Sequence, residues 1–380
     1  MPSVFDLHLP GHVRFGRDAA QAAVQTLLAH GNHALLVHGA HVERAQWLID
    51  ALTEAGAPPL TAACPREPDI PLIEAVVAAG RQGGVDAVIG LGGGAVIDTA
   101  KAVAGLIPAT GAVMDYLEVV GGGAPLDADP LALAALPTTA GTGTEATWNA
   151  VIDVPEARRK VSLRDPRLLP DVAVVDPALT DRAPASVTLA SGLDAVTQVI
   201  EPYLSGQANR FTDALCREAI PVGLNALRTI MAGEDPGARD DMAWVSLCGG
   251  LALANARLGA VHGLAGPLGG ATSLPHGVIA GALLPEALRA NRERTTGTVA
   301  GRIRDVEQAI ADALDCGAHE AIDALADWSR AQGLPGIGAA GLERSALPDI
   351  AAAATQSSSM RGNPVVLPAA RLVEMMEAAW

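Results

Sequence analysis

Up to about residue 184, short apolar runs ending at glycine or proline alternate with Ala-rich stretches, and beyond Pro184 the alternation stops. That switch constrains the fold more than any other feature of the chain. HALLVHG (33–39), DAVIGLGGG (86–94), ALAALPTT (132–139) and DVAVVDP (171–177) are short, almost wholly apolar and closed by turn formers, as strands buried on both faces are. Between them, DAAQAAVQTLLAHG (18–31), ERAQWLIDALTEAG (43–56) and IPLIEAVVAAGRQGG (70–84) repeat apolar residues at steps of three and four, the helical spacing. Strand and helix in alternation imply a parallel sheet covered on both faces. Past Pro184, SVTLASGLDAVTQVIEPYLS, NRFTDALCREAIPVGLNALRTIM and ARDDMAWVSLCGGLALANARLG keep the helical period, as do the segments that follow. The expectation is two domains: an α/β domain over 1–183 and an all-helical domain over 184–380.

Charge narrows the possible partners. With 26 Lys and Arg against 42 Asp and Glu, the net charge is −16, and no local basic run offsets it, so phosphate backbones and anionic lipid surfaces are repelled. The expected partner is a small molecule, with no nucleic acid and no membrane. Between Arg257 and Glu286 lies a long uncharged stretch, but Pro267, Pro275, Pro285 and seven glycines make it a poor bilayer helix. Cys64, Cys216, Cys248 and Cys316 have no paired spacing and read as buried thiols. The first residues, MPSVFDLHLPGHVRFG, lack the basic and apolar segments of a secretory signal, so a cytoplasmic location is expected.

Candidate chemistry begins where the strand 86–92 runs into Gly92, Gly93, Gly94 and then the helix-like AVIDTAK. Bare backbone N–H groups at a helix N-terminus suit a phosphate, although a tight strand-to-helix turn uses the same residues. Asp98, one turn on, suits a ribose or an amide, or answers the helix dipole and Lys101. A second loop, PTTAGTGTEAT (137–147), follows another strand, and Thr138, Thr139, Thr142 and Thr144 bring hydroxyls to a backbone opened by Gly141 and Gly143. In the helical half, Asp194 and Gln198 are four residues apart on one helix face. His262, at the end of the helix GLALANARLGAVHG, and His276, at the start of the next, are spaced to turn toward one point. A carboxylate with two imidazoles is an ordinary donor set for a catalytic divalent cation.

These motifs in this order resemble the iron-containing (group III) alcohol dehydrogenases. The likeness runs from FGRDAA through GLGGGAVIDTAKAVA, PTTAGTGTEAT, RKVSLRDPRLLPDVAVVDPALT, ASGLDAVTQVIEPYLS and GAVHGLAGPLGGATSLPHG to GNP at 362–364. The resemblance implies a Rossmann-like dinucleotide-binding domain followed by a helical, metal-binding domain, and a homodimer. Gly39, Gly92, Gly93, Gly94, Ala95, Asp98, Thr138, Thr139, Thr142 and Lys160 would bind NADPH or NADH. Asp194, His262 and His276, with Gln198 as a fourth candidate, would hold Fe²⁺ or Zn²⁺ and form the catalytic centre. Hydride would pass between nicotinamide C4 and a carbonyl carbon polarised by the cation, making the enzyme an alcohol dehydrogenase or aldehyde reductase.

The sequence departs from the family at three places. Gln198 and Gly266 stand where iron-dependent members usually carry histidines. An amide is a weaker donor than imidazole toward Fe²⁺, and with Gly266 the proton must come from water or ribose hydroxyls. Gly39 stands where NAD-selective relatives place an aspartate, with His41 and Arg44 nearby, which leans the expectation toward NADPH. Three other branches stay open. A maleylacetate reductase-like enzyme would reduce a carbon–carbon double bond, using RDPR (164–167) or Arg257; a dehydroquinate synthase-like lyase and a metal-free member, catalytic or merely nucleotide-binding, are the others.

Overall fold

The computed structural model describes residues 4–380 and divides them into two compact units: 8–139 with 143–180, and 4–7 with 140–142 and 181–380.

In the first unit, six strands form one all-parallel sheet: β1 (His12–Phe15), β2 (Ala34–His38), β3 (Leu60–Ala63), β4 (Ala87–Gly92), β5 (Ala132–Pro137) and β8 (Val172–Val175). β2, β4 and β8 are buried at every residue, as their unbroken apolar runs require. The helices are α1 (Ala19–Ala22), α2 (Val24–Leu28), α3 (Gln46–Glu54), α4 (Ile70–Gly83), α5 (Gly94–Leu106) and α6 (Val113–Tyr116). The helical stretch expected over 18–31 is thus two short helices that meet at Ala23.

Strand order is β1-β8-β5-β4-β2-β3. From β2 the chain winds outward to β3, returns to β4 beside β2, and then winds the other way through β5 and β8. The reversal between β2 and β4 is a topological switch point, outside whose carboxyl ends a crevice forms in open α/β sheets. Gly39 follows β2 and Gly93 follows β4, in register through His38 and Leu91. An antiparallel hairpin of β6 (Asn149–Val154) and β7 (Arg159–Arg164) completes the unit. Its period of two is plain in the alternating burial of NAVIDV, while the edge strands β1 and β3 are half exposed and carry no apolar run.

The second unit is helical: α7 (Ala185–Leu204), α8 (Arg210–Ala232), α9 (Pro236–Ala256), α10 (Ala260–Ala271), α11 (His276–Arg294), α12 (Gly297–Leu314), α13 (Ala321–Ala331), α14 (Leu347–Ala354) and α15 (Ala369–Ala378). α7 is buried almost throughout and packs against α8, α9 and α11. Glycine permits that closeness: a Cβ at Gly192 would lie 2.4 Å from Leu227, and one at Gly249 would lie 3.0 Å from the Gln198 Cβ. One helix end differs from expectation. α9 stops at Ala256, where Arg257 turns to φ +60°, and His262 opens the next helix rather than closing this one. His276 is the first residue of α11, as its LPHG context suggests. Among the described residues no single helix is long and apolar enough to cross a membrane.

Candidate active site

In the helical unit, α7 contributes Asp194, the first turn of α10 contributes His262, and the start of α11 contributes His276. One donor atom from each lies within 4.8 Å of the others. Asp194 Oδ1 is 3.2 Å from His262 Nε2 and 3.7 Å from His276 Nε2, and the two imidazole centroids are 5.3 Å apart. His262 Nδ1 is 2.7 Å from Glu201 Oε2, so with that nitrogen donating, Nε2 presents a lone pair toward an anionic oxygen. Asp194 Oδ1 and His262 Nε2 are both buried, and neither has a hydrogen-bond partner among the described residues.

Two acceptors facing each other in a dry place need a cation between them. The flanking carboxylates favour positive charge at this point, whether a proton on His262 or a metal ion. Burial opposes charge on Asp194, but the two imidazoles outweigh it and hold its carboxyl below the usual carboxylate range. Burial likewise opposes charge on His262, yet the flanking carboxylates of Asp194 and Glu201 raise it to about 10. Two nitrogens and one oxygen suit Zn²⁺ or Fe²⁺. The donor set therefore fits the metal that the resemblance implies. Gln198, one turn beyond Asp194, has its amide nitrogen committed to the Gly141 carbonyl at 2.8 Å.

In the α/β unit, the Thr138 N–H donates to the Gly92 carbonyl at 2.9 Å, and a Cβ at Gly93 would touch Thr139 at 3.4 Å. The loops after β4 and β5 therefore lie side by side. Gly94 and Ala95 form the first turn of α5, and Gly93, Gly94, Ala95, Asp98, Thr138 and Thr139 are each partly exposed. Gly92 has no room for a side chain, since a Cβ there would meet Val96 at 2.5 Å. At Gly39 the space is open, with no atom within 4 Å of a Cβ. Lys160, on β7, is ion-paired with Glu67 at 3.0 Å. Thr142 groups with the helical unit.

Beneath the glycine loop lies a buried ionic cluster. Lys101 is fully buried, and its ammonium donates to Thr144 Oγ1 (3.0 Å), Thr147 Oγ1 (2.8 Å) and the Asn149 carbonyl (3.1 Å). The Thr144 hydroxyl in turn donates to Asp98 Oδ1 at 2.7 Å, so it is committed inside the protein and not offered to a ligand. Burial pushes the Asp98 carboxyl up and the Lys101 amine down, and their mutual attraction offsets part of each shift. Glu145 is buried as well, and burial lifts its carboxyl to about 7. The arginines of RDPR hold loops: Arg167 grips Asp165 and Asp129, and Arg164 donates to Glu118 at 3.2 Å. Arg257 is exposed at the turn after α9.

Glu201 was not among the expected site residues. Its spacing from Asp194 and Gln198, at steps of four and then three on α7, is the signal that points to it.

Comparison with known proteins shows the family. The model of the iron-containing alcohol dehydrogenases matches residues 10–177, and the model of the C-terminal part of the Fe-containing alcohol dehydrogenase family matches 188–380. The chain is 33% identical over 319 residues to lactaldehyde reductase of Escherichia coli, covering 82% of each chain. It is 41% identical over 235 residues to long-chain-alcohol dehydrogenase 1 of Geobacillus thermodenitrificans, covering 62% of this chain and 59% of that one. The structure of a 1,3-propanediol oxidoreductase superposes with a TM-score of 0.87 at 28% identity, covering 99% of this chain and 100% of that one. An alcohol dehydrogenase from Oenococcus oeni gives 0.89 at 26%, with the same coverage.

This chain belongs to the iron-containing alcohol dehydrogenase family. It is an oxidoreductase with the family's fold, a parallel-sheet N-terminal unit followed by a helical C-terminal one, and its named relatives act on CH–OH groups. In this chain the Gln198 amide nitrogen is already bonded, and Gly266 brings no titratable group.

Proposed function

We propose that this family member is a cation-dependent, NAD(P)-dependent alcohol dehydrogenase that works as a reductase of small aldehydes. The observation that carries the reading is the facing pair of buried, unpartnered acceptors, Asp194 Oδ1 and His262 Nε2, with His276 completing the set. A divalent cation held there would supply Lewis-acid polarisation of a carbonyl, and a reduced nicotinamide would supply the hydride.

The chain's own contribution is binding and orientation. The first N–H groups of α5 and its positive dipole end favour a pyrophosphate beside Gly93 and Gly94. Thr138 and Thr139 add hydroxyls from the neighbouring loop, and Asp98, steadied by Thr144, suits a ribose or amide donor. Open space at Gly39, with no carboxylate on that residue to repel a 2′-phosphate, supports NADPH over NADH. The Lys160 ammonium, on β7, is a further candidate for the cofactor's polar groups. Lactaldehyde reductase among the relatives supports a short, hydroxylated aldehyde as the substrate class.

The test is metal analysis of the purified protein together with NADPH and NADH oxidation across short aldehydes, 2-oxo acids and maleylacetate. Full activity after the protein has been stripped of metal overturns the cation's role. Turnover of maleylacetate alone shifts the assignment to carbon–carbon double-bond reduction.

A further inference from the structure

We propose that Glu201 is a positioning residue for cation binding: its carboxylate fixes the tautomer and orientation of His262 and thereby sets the affinity of the Asp194, His262 and His276 donors. This rests on the reading that those three residues hold a metal.

Asp194, Gln198 and Glu201 share one face of α7, so the helix that supplies the carboxylate donor also supplies the residue behind the next donor. Glu201 is nearly inaccessible to solvent, yet both of its oxygens are used. Oε1 accepts from the Val261 N–H at 2.7 Å, while Oε2 accepts from the His262 N–H at 3.4 Å and from His262 Nδ1 at 2.7 Å. The first turn of any helix leaves N–H groups without helical partners and carries positive charge. The residue before α10 is Gly259, which has no side chain to cap them. Two residues distant in sequence do so instead: Asn363 Oδ1 accepts from Ala260 N at 3.1 Å, and Glu201 takes the next two.

The bareness of Gly259 is part of this arrangement, because a Cβ there would lie 2.9 Å from both Glu201 Oε1 and Asn363 Oδ1. Asn363 is itself held by Asn291, its Nδ2 donating to Asn291 Oδ1 at 2.8 Å, and by the Val365 carbonyl at 2.8 Å. These bonds hold the helix start at Ala260, while the His262 ring itself is held by Glu201.

The chemical consequence lies in the second ring nitrogen. A carboxylate can only accept, so Nδ1 must carry the hydrogen, and the lone pair is left on Nε2, 3.2 Å from Asp194 Oδ1. A glutamine at 201 has one accepting oxygen. If that oxygen keeps the Val261 N–H, the amide NH₂ faces Nδ1, which must then accept. The hydrogen moves to Nε2, and the cation loses a ligand.

The experiment uses the full chain, stripped of metal and titrated with Zn²⁺ against a competing chelator. Glu201→Gln is expected to bind Zn²⁺ about 10- to 100-fold more weakly. Asn363→Ala removes a cap from the same helix start without touching the ring, and should lower the melting temperature while keeping the wild-type affinity. Zinc-loaded wild-type protein with ¹⁵N-labelled histidine should show a protonated Nδ1 on His262, a signature that a purely structural role for Glu201 does not require. Unchanged affinity in Glu201→Gln overturns the proposal, and so does an equal loss in Asn363→Ala, which would reduce the effect to helix stability. Failure of the wild-type chain to take up Zn²⁺ is a different result, for it removes the metal reading and this inference together.

Discussion

Replacing Lys101 with methionine isolates the buried ionic cluster beneath the glycine loop. The two side chains are similar in length, so the change deletes a charge and three hydrogen bonds with little change in volume. Thr144 Oγ1, Thr147 Oγ1 and the Asn149 carbonyl each lose a donor at 2.8 to 3.1 Å. A buried acceptor left without a partner costs about 1–3 kcal/mol, and relief of the ammonium's own burial offsets part of that sum. Asp98 and Glu145 also lose the cation that attracts them. Removing one partner from a buried pair typically costs about 3–5 kcal/mol. For a unit of this size that corresponds to a fall in melting temperature of roughly 10 °C. The loss should also grow as pH rises from about 6 to 8, because Asp98 and Glu145, lifted by burial to about 6 and about 7, ionise there in the wild type and only at greater cost without Lys101. Scanning calorimetry of the two proteins across that range is the assay. A fall of only a degree or two, or one that does not deepen with pH, refutes the idea that Lys101 compensates buried negative charge.

Other predictions follow from the same geometry. Glu145 titrates near 7 in the fold against 4.5 in a model peptide, so its ionisation destabilises the fold progressively as pH rises through that window. Glu145→Gln should therefore gain stability relative to wild type by up to about 3 kcal/mol from pH 4 to pH 8; a flat difference in denaturant midpoints across that range contradicts it. Gly92→Ala, whose Cβ would meet Val96 at 2.5 Å, should distort the turn into α5 and weaken NADPH binding, read by quenching of nucleotide fluorescence. Asp194→Asn keeps the shape but removes the anion, and should abolish Zn²⁺ uptake in equilibrium dialysis. A homodimer is expected, consistent with the exposed Val13 and Phe15 on the edge strand β1, and sedimentation of the metal-stripped chain checks it.

Much of this protein is local in origin. Uniform apolar runs closed by glycine specify buried parallel strands, the three-and-four spacing specifies helices, and both periods act over a few residues, so they survive as a pattern in the chain itself. The residue types of the proposed cation site are legible for the same reason, since Asp194 stands in a helical run and His276 behind a proline. What only the tertiary structure decided is pairing over long separations. The switch between β2 and β4 brings Gly39 beside the glycine loop. α10 begins at Ala260, leaving Arg257 in the turn, and Glu201 and Asn363 reach its first N–H groups from sites 60 and 103 residues away. Lys101 finds its oxygens more than 40 residues on. A buried polar group must be satisfied, but nothing in its neighbours along the chain says by which partner. That choice follows from how closely the helices and loops pack, and packing is a property of the whole fold.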